Sequence, residues 1–114
     1  MKDYLIQVAY TPDAVAALVA NPVDRAEAVK PVIQKLGGTM KSAYFAFGEY
    51  DVILIASLPS DVEAGALALA FAGGGALKSV KTTPLMSIAD GVESMKKAKS
   101  CGYQPVTATA KAHA

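Results

Sequence analysis

Along residues 3–10 the side chains alternate as a strand would: Tyr4, Ile6, Val8 and Tyr10 fall on one face, Leu5, Gln7 and Ala9 on the other. Thr11-Pro12-Asp13 then supplies a helix cap, a proline at the first helical position and an acid in the first turn. A short helix is predicted to about Val19, interrupted by Asn21-Pro22. Asp24 recaps the chain, with Glu27 three residues on, and Ala26, Val29, Ile33 and Leu36 form the stripe of a second helical stretch. Pro31 removes one hydrogen bond inside it and predicts a bend, and Gly37-Gly38 ends it.

Two strands are predicted over 39–47 and 51–58, joined at Gly48-Glu49-Tyr50. The second, around "DVILIA", is apolar on both faces, which is unusual where one face should meet water. Pro59 stops it. Ser60 with Glu63 marks a capping box, and an Ala/Leu-rich helix follows through about Ala72 to the stop Gly73-Gly74-Gly75. The strand from about Leu77 to Met86 carries Lys78, Lys81, Thr82, Thr83 and Pro84, the marks of a sheet edge. A last helix is predicted from near Ser87, with Ile88, Val92 and Met95 facing inward and Glu93, Lys96, Lys97 and Lys99 outward.

The order β-α-β-β-α-β plus a helix is the ferredoxin-like split β-α-β arrangement, an α+β fold with an antiparallel sheet ordered 4-1-3-2. Both crossover helices cover one sheet face. Strand 3, apolar on both sides, then requires a cover for the other face, and a second copy of the same sheet gives a two-fold dimeric α+β barrel. The expected organisation is one domain over 1–99 and a tail over 100–114, partly disordered at its end.

Composition sharpens this picture. At 53% hydrophobic residues in 114, the chain is apolar for a small domain, and apolar excess in a small domain tends to be covered by another subunit. A net charge of +1 and a single arginine, Arg25, argue against nucleic acid as a partner. The amino-terminal pattern lacks the layout of a signal peptide, and no apolar run approaches the roughly 20 residues that span a bilayer, so neither a membrane partner nor export is expected. With Cys101 as its one cysteine, the chain is expected to be cytoplasmic.

The run "FGEYDVILIASLPSDVEAGALALAFAGGGALKSVKTTPLMS" resembles the GYD domain family, named for a Gly-x-Tyr-Asp-like hairpin. That motif stands here as Gly48, Tyr50 and Asp51, with Glu49 between the first two. The similarity extends over about residues 3–103, through "KLGG" at 35–38, "TTPLM" at 82–86 and the "MKKA…GY" run. The resemblance implies a dimeric ferredoxin-like barrel without an assigned biochemical role. The effector-binding domain of leucine-responsive/AsnC-type regulators carries a similar hairpin on the same topology. The chain has no room for the helix-turn-helix of those regulators, and by that likeness would be a stand-alone sensing half.

Candidate chemistry is sparse. Gly48, Glu49, Tyr50 and Asp51 read as a tight turn in which glycine takes a positive φ and Asp51 accepts backbone hydrogen bonds. The structural reading is preferred, because a turn needs these residue types anyway; the alternative makes them a lip of a pocket or subunit interface, with Asp51 binding a ligand amine or acting as a base. Tyr10, Tyr44 and Tyr50, together with Tyr4, would line an apolar barrel cavity if they share its face, or would be ordinary interface aromatics. Glu49, Asp51 and Glu63 are the acids nearest the hairpin. His113, the only histidine, is second from the end, so a histidine metal site or general base in the core is not expected; Cys101 lacks a partner for either a disulfide or a metal. Gly73-Gly74-Gly75 follows a helix rather than opening one and is no phosphate loop. No cofactor signature is present. The expected function is a homo-oligomeric module binding a small metabolite in or near the barrel. The alternatives are a cofactor-independent enzyme, monooxygenase- or isomerase-like, or a purely structural assembly protein.

Overall fold

Every described helix begins on a side-chain oxygen. In the computed structural model, which describes residues 1–106, Thr11 accepts from the amide of Ala14 at 3.2 Å and opens α1 (Pro12–Ala20). Asp24 accepts from the amides of Ala26 and Glu27, at 2.9 and 3.2 Å, and opens α2 (Arg25–Lys35). Ser60 opens α3 (Asp61–Gly73) and Ser87 opens α4 (Ile88–Ser100) in the same way. Each such cap contributes about 1 kcal/mol and fixes where a helix starts. The predicted capping-box acids behave differently. Glu63 accepts from the Ser60 hydroxyl at 3.0 Å, and Glu27 pairs with Lys30 instead of reaching back to its cap. Pro31 lies inside α2.

Between the helices run β1 (Lys2–Tyr10), β2 (Thr39–Phe45), β3 (Val52–Leu58) and β4 (Leu77–Leu85). All pairings are antiparallel and the order is β2-β3-β1-β4, the predicted 4-1-3-2 sheet seen from its other edge. The fold is the ferredoxin-like α+β arrangement. The β2–β3 connection is longer than the three-residue turn predicted: β2 stops at Phe45 and β3 begins at Val52, so Phe47 lies outside the strand.

Alternation along the central strands places Tyr4, Ile6 and Val8 of β1 with Leu54, Ala56 and Leu58 of β3 under the helices. Ile33 of α2 and Ala64 and Leu67 of α3 close this core from above. Burying one such Leu or Ile side chain is worth about 1.5–3 kcal/mol, so these few contacts carry the helix–sheet association. Gly38, just past α2, lies tight against β3. A Cβ there would sit 2.3 Å from the Ser57 carbonyl oxygen and 2.6 Å from Leu58 Cδ2.

The opposite sheet face has no helix on it. Leu5, Gln7, Ile53 and Ile55 are only half-buried there, screened by their own neighbours, and Tyr44 stands opposite Ile53 on the same side. The strand that looked apolar on both faces is thus covered on one. The final helix departs from expectation. Ile88, Val92 and Met95 do not face inward; they are 87%, 42% and 70% exposed, and α4 makes no extensive contact with another described element. The positions over the sheet are already taken by α2 and α3, and β4 leaves the chain at the sheet edge. Among the described residues no helix is long and apolar enough to cross a membrane. The end of the predicted tail, with His113, lies outside the described residues.

Candidate functional site

Among the described residues, Asp51 fastens the β2–β3 turn to β1. Its amide donates to the Val8 carbonyl at 2.8 Å, and its own carbonyl accepts from Ala46 at 2.7 Å. Its carboxylate Oδ2 accepts from the Tyr10 amide at 2.8 Å. The β1–β3 ladder ends at Val8 and Val52, so the Tyr10 amide has no strand partner on that side. The Asp51 carboxylate takes the place of the missing carbonyl and adds one rung. Gly48 plays no such part. Its φ is not positive and the space about it is open, so the turn does not require glycine there, contrary to the sequence reading.

An ionised acceptor bonded to a partly buried amide contributes about 1.5–3 kcal/mol. Asp51→Ala is therefore expected to lower the melting temperature by about 10 °C, while Asp51→Asn, which keeps a carbonyl oxygen, loses much less. Equal melting temperatures for Asp51→Ala and the wild type would remove the clamp.

Beside this clamp opens an apolar groove of about 660 Å³. Tyr10, Asp51 and Val52 border it from the sheet, Val15 and Leu18 from α1, and Val23 from the α1–α2 connection. It runs into a second hollow of about 560 Å³ between α1, α2 and α3, where Val8, Leu54, Phe71 and Leu77 form the floor. Arg25, at the start of α2, borders both hollows and forms no ion pair with a described carboxylate. The dimensions suit a small molecule.

The predicted tyrosine set does not converge as a whole. Tyr10, Tyr44 and Asp51 border the same groove, although Tyr44 comes from β2 and its register puts it on the open sheet face. Tyr50 is half-buried and borders neither hollow; Glu49 is exposed in the turn. Tyr4 is far from all of them in role. It is buried in the core and its hydroxyl donates to Asp61, in the first turn of α3, at 2.5 Å. The groove residues missed by sequence reasoning include Leu18, Val23 and Arg25. Their one signal was an apolar residue, Val23, stranded in a polar break between helices.

The Tyr4–Asp61 contact makes two titrations unequal between folded and unfolded chains. Donation to the Asp61 carboxylate, then burial, pushes Tyr4 up from 10.0 to about 12. The Tyr4 hydroxyl, then Lys2 at 3.4 Å, hold Asp61 below its ordinary 3.8. The Tyr4 contribution to stability is complete below pH 10, where both states carry the phenol proton, and is lost as pH rises from 10 to about 12. The Asp61 contribution is present above 3.8 and is lost as pH falls through the lower folded value. Phenolate absorbance is expected to show a late step near pH 12 that vanishes in Tyr4→Phe; a titration unchanged by that substitution would refute the assignment.

Among the described residues no group of three or more His, Cys, Asp or Glu side chains could hold a metal ion. Cys101 is exposed at the end of α4. A family model described as GYD domain matches residues 4–100. No curated protein matches the chain. Among solved structures, the crystal structure of FFRP-DM1 aligns with a TM-score of 0.44 at 15% sequence identity, covering 75% of this chain and 100% of that one.

Proposed function

The chain belongs to the GYD domain family, and from that premise we propose that it is a homodimeric binding module that holds a small, largely apolar molecule in the groove beside Tyr10 and Asp51. The observation that supports binding is the character of the groove. Its walls are mainly aliphatic, and two polar groups at its border have spare capacity: Asp51 Oδ1 and the Arg25 guanidinium have no hydrogen-bond partner among the described residues. Apolar walls with a few convergent polar groups are the usual make-up of a small-molecule site. The ligand's apolar body would lie against Val15, Leu18 and Val52, with a polar group turned to Asp51 or Arg25.

Dimerisation is supported by the open sheet face. Leu5, Ile53 and Ile55 would be covered by the same residues of a second copy, related by a two-fold axis. The cytoplasm is the compartment we propose, in keeping with a single cysteine. No arrangement of described side chains favours turnover chemistry over binding.

Native mass spectrometry of the protein as purified from cells tests both parts. A dimer carrying a reproducible small adduct is expected, and Ala26→Phe, which fills the groove shared by both hollows, is expected to lose it while remaining dimeric. Anilinonaphthalene sulfonate, apolar with one anionic group, should bind the wild type once per chain and Ala26→Phe hardly at all. If neither an adduct nor saturable dye binding occurs, or if Ala26→Phe retains both, the groove is not a ligand site.

A further inference from the structure

Under α1 the protein leaves a space that its own side chains do not fill. The residues bordering the hollow of about 560 Å³ from the helix layer are among the smallest available: Ala14 and Ala17 of α1, Ala26 of α2, Ala70 of α3 and Gly74 at its end. Asp13 is the only polar residue of α1, yet no residue of that helix is buried, and it makes no extensive contact with α2 or α3. Interiors normally pack as densely as organic crystals, so an apolar helix held off its neighbours leaves wetted hydrocarbon on both. An apolar body in the hollow would supply the contacts α1 lacks.

The polar groups there set the sign of the ligand's charge. Three side chains bordering this hollow can donate a hydrogen bond, the Arg25 guanidinium, the Asn21 amide and the Tyr10 hydroxyl, and none of the three groups is paired among the described residues. No described Asp or Glu borders it. Asp24 and Asp51 border only the outer groove, and both are engaged there, Asp24 by the Ala26 and Glu27 amides and Asp51 by the Tyr10 amide. A cationic group in the inner hollow would find no counter-charge, whereas an anionic one would find three donors. The guanidinium fork matches the two oxygens of a carboxylate. A single arginine with Asp51 nearby suits one negative charge better than two.

The sheet order sets the shape. Helix α2, which begins at Arg25, packs over β2, and α3, which carries Phe71, packs over β4, which begins at Leu77. Val8 of β1 and Leu54 of β3 lie between them on the floor. Three strand spacings, about 14 Å, separate β2 from β4, so the hollow favours an elongated body over a compact one. We propose that the ligand is an elongated apolar monocarboxylate, with its body under α1 between α2 and α3 and its carboxylate on Arg25, where Asn21 and Tyr10 are further donors. This rests on the reading of the groove as a ligand site and does not depend on a dimer.

Isothermal titration of the full chain with octanoate, 1-octanol, octylammonium and octyl phosphate tests it. Octanoate is expected to bind once per chain and at least about tenfold tighter than octanol or octylammonium. Hexanoate should bind about fifteenfold weaker than octanoate, since each buried methylene is worth about fourfold. Arg25→Gln should weaken octanoate about tenfold while leaving octanol binding and the melting temperature unchanged, and Arg25→Lys should recover part of the loss. Octanol or octylammonium binding as tightly as octanoate, with both lost in Ala26→Phe, would overturn the carboxylate and leave the groove a ligand site. Octyl phosphate binding tighter than octanoate would overturn it in favour of a phosphate, and undiminished octanoate binding by Arg25→Gln would overturn the placement of the head. If anilinonaphthalene sulfonate binds saturably and none of these probes does, the proposal fails alone; if the dye fails too, it falls with the ligand site.

Discussion

Gly38→Ala is expected to cost about 3 kcal/mol or more and to lower the melting temperature by at least ~15 °C. The added Cβ would fall 2.3 Å from the Ser57 carbonyl oxygen, well inside van der Waals contact. Ser57 belongs to β3 and pairs with both Asp3 and Thr39, so that oxygen is held by the ladder and cannot retreat as a flexible side chain would. Ile33 Cγ2 lies 3.2 Å from the same point. Trimming that side chain with Ile33→Ala removes this milder clash and leaves the backbone one. The double variant is therefore expected to remain as unstable as Gly38→Ala alone, or worse, in chemical denaturation. A Gly38→Ala protein that melts with the wild type would show that α2 and β3 are not packed as described.

Adjacent residues on β3 should answer a buried charge in opposite ways. Leu54 is 3% exposed beneath the helices, so Leu54→Asp places a carboxylate among the apolar side chains of the core and should prevent folding. Ile55, one position on, points to the open face, where a carboxylate in the single chain reaches water. Ile55→Asp is expected to leave the far-ultraviolet circular dichroism largely native while raising the dimer dissociation constant at least about a thousandfold, because two-fold symmetry brings two such charges together at the interface. If Ile55→Asp dimerises as tightly as the wild type, the open face is not the contact. If Leu54→Asp also folds, the assignment of faces fails.

Much of this architecture was legible because each element is bounded by local chemistry. Thr11, Asp24, Ser60 and Ser87 cap helices through bonds to amides two or three residues away, and the strands announce themselves by alternation. The edge position of β4 followed from its polarity. What the sequence withheld depends on contacts between distant segments. The alternation of β1 groups Tyr4 with Tyr10 but cannot say that Asp61 waits above one and Asp51 beside the other. Tyr44 was grouped with them by residue type, whereas the bulge after Met40 and the pairing with Ile53 set its face. The stripe of α4 was rightly periodic, yet periodicity reports that a face wants cover and not whose surface supplies it. The site was half-read for the same reason. Asp51 was recognisable as a turn acid, while Leu18, Val23 and Arg25 join it only through the path of the α1–α2 connection.

The sheet order has a further consequence, for how the chain comes into being. β1 is made first and lies in the middle, between β3 and β4: Lys2 must find Leu58, and Asp3 must find Leu85. At roughly 5–20 residues per second of synthesis, the first strand waits on the order of 3–10 s for its first neighbour and longer for its second. Throughout that interval Leu5, Ile6 and Val8 are an unpaired apolar strand emerging from the ribosome. The α1–α2 segment, the β2–β3 hairpin and α3 are all made before the second neighbour arrives, so the central strand is the last to be paired on both sides. Long-range closure of this kind sets a slow folding rate. It also makes nascent β1, more than any surface of the finished fold, the segment that a chaperone would be drawn to.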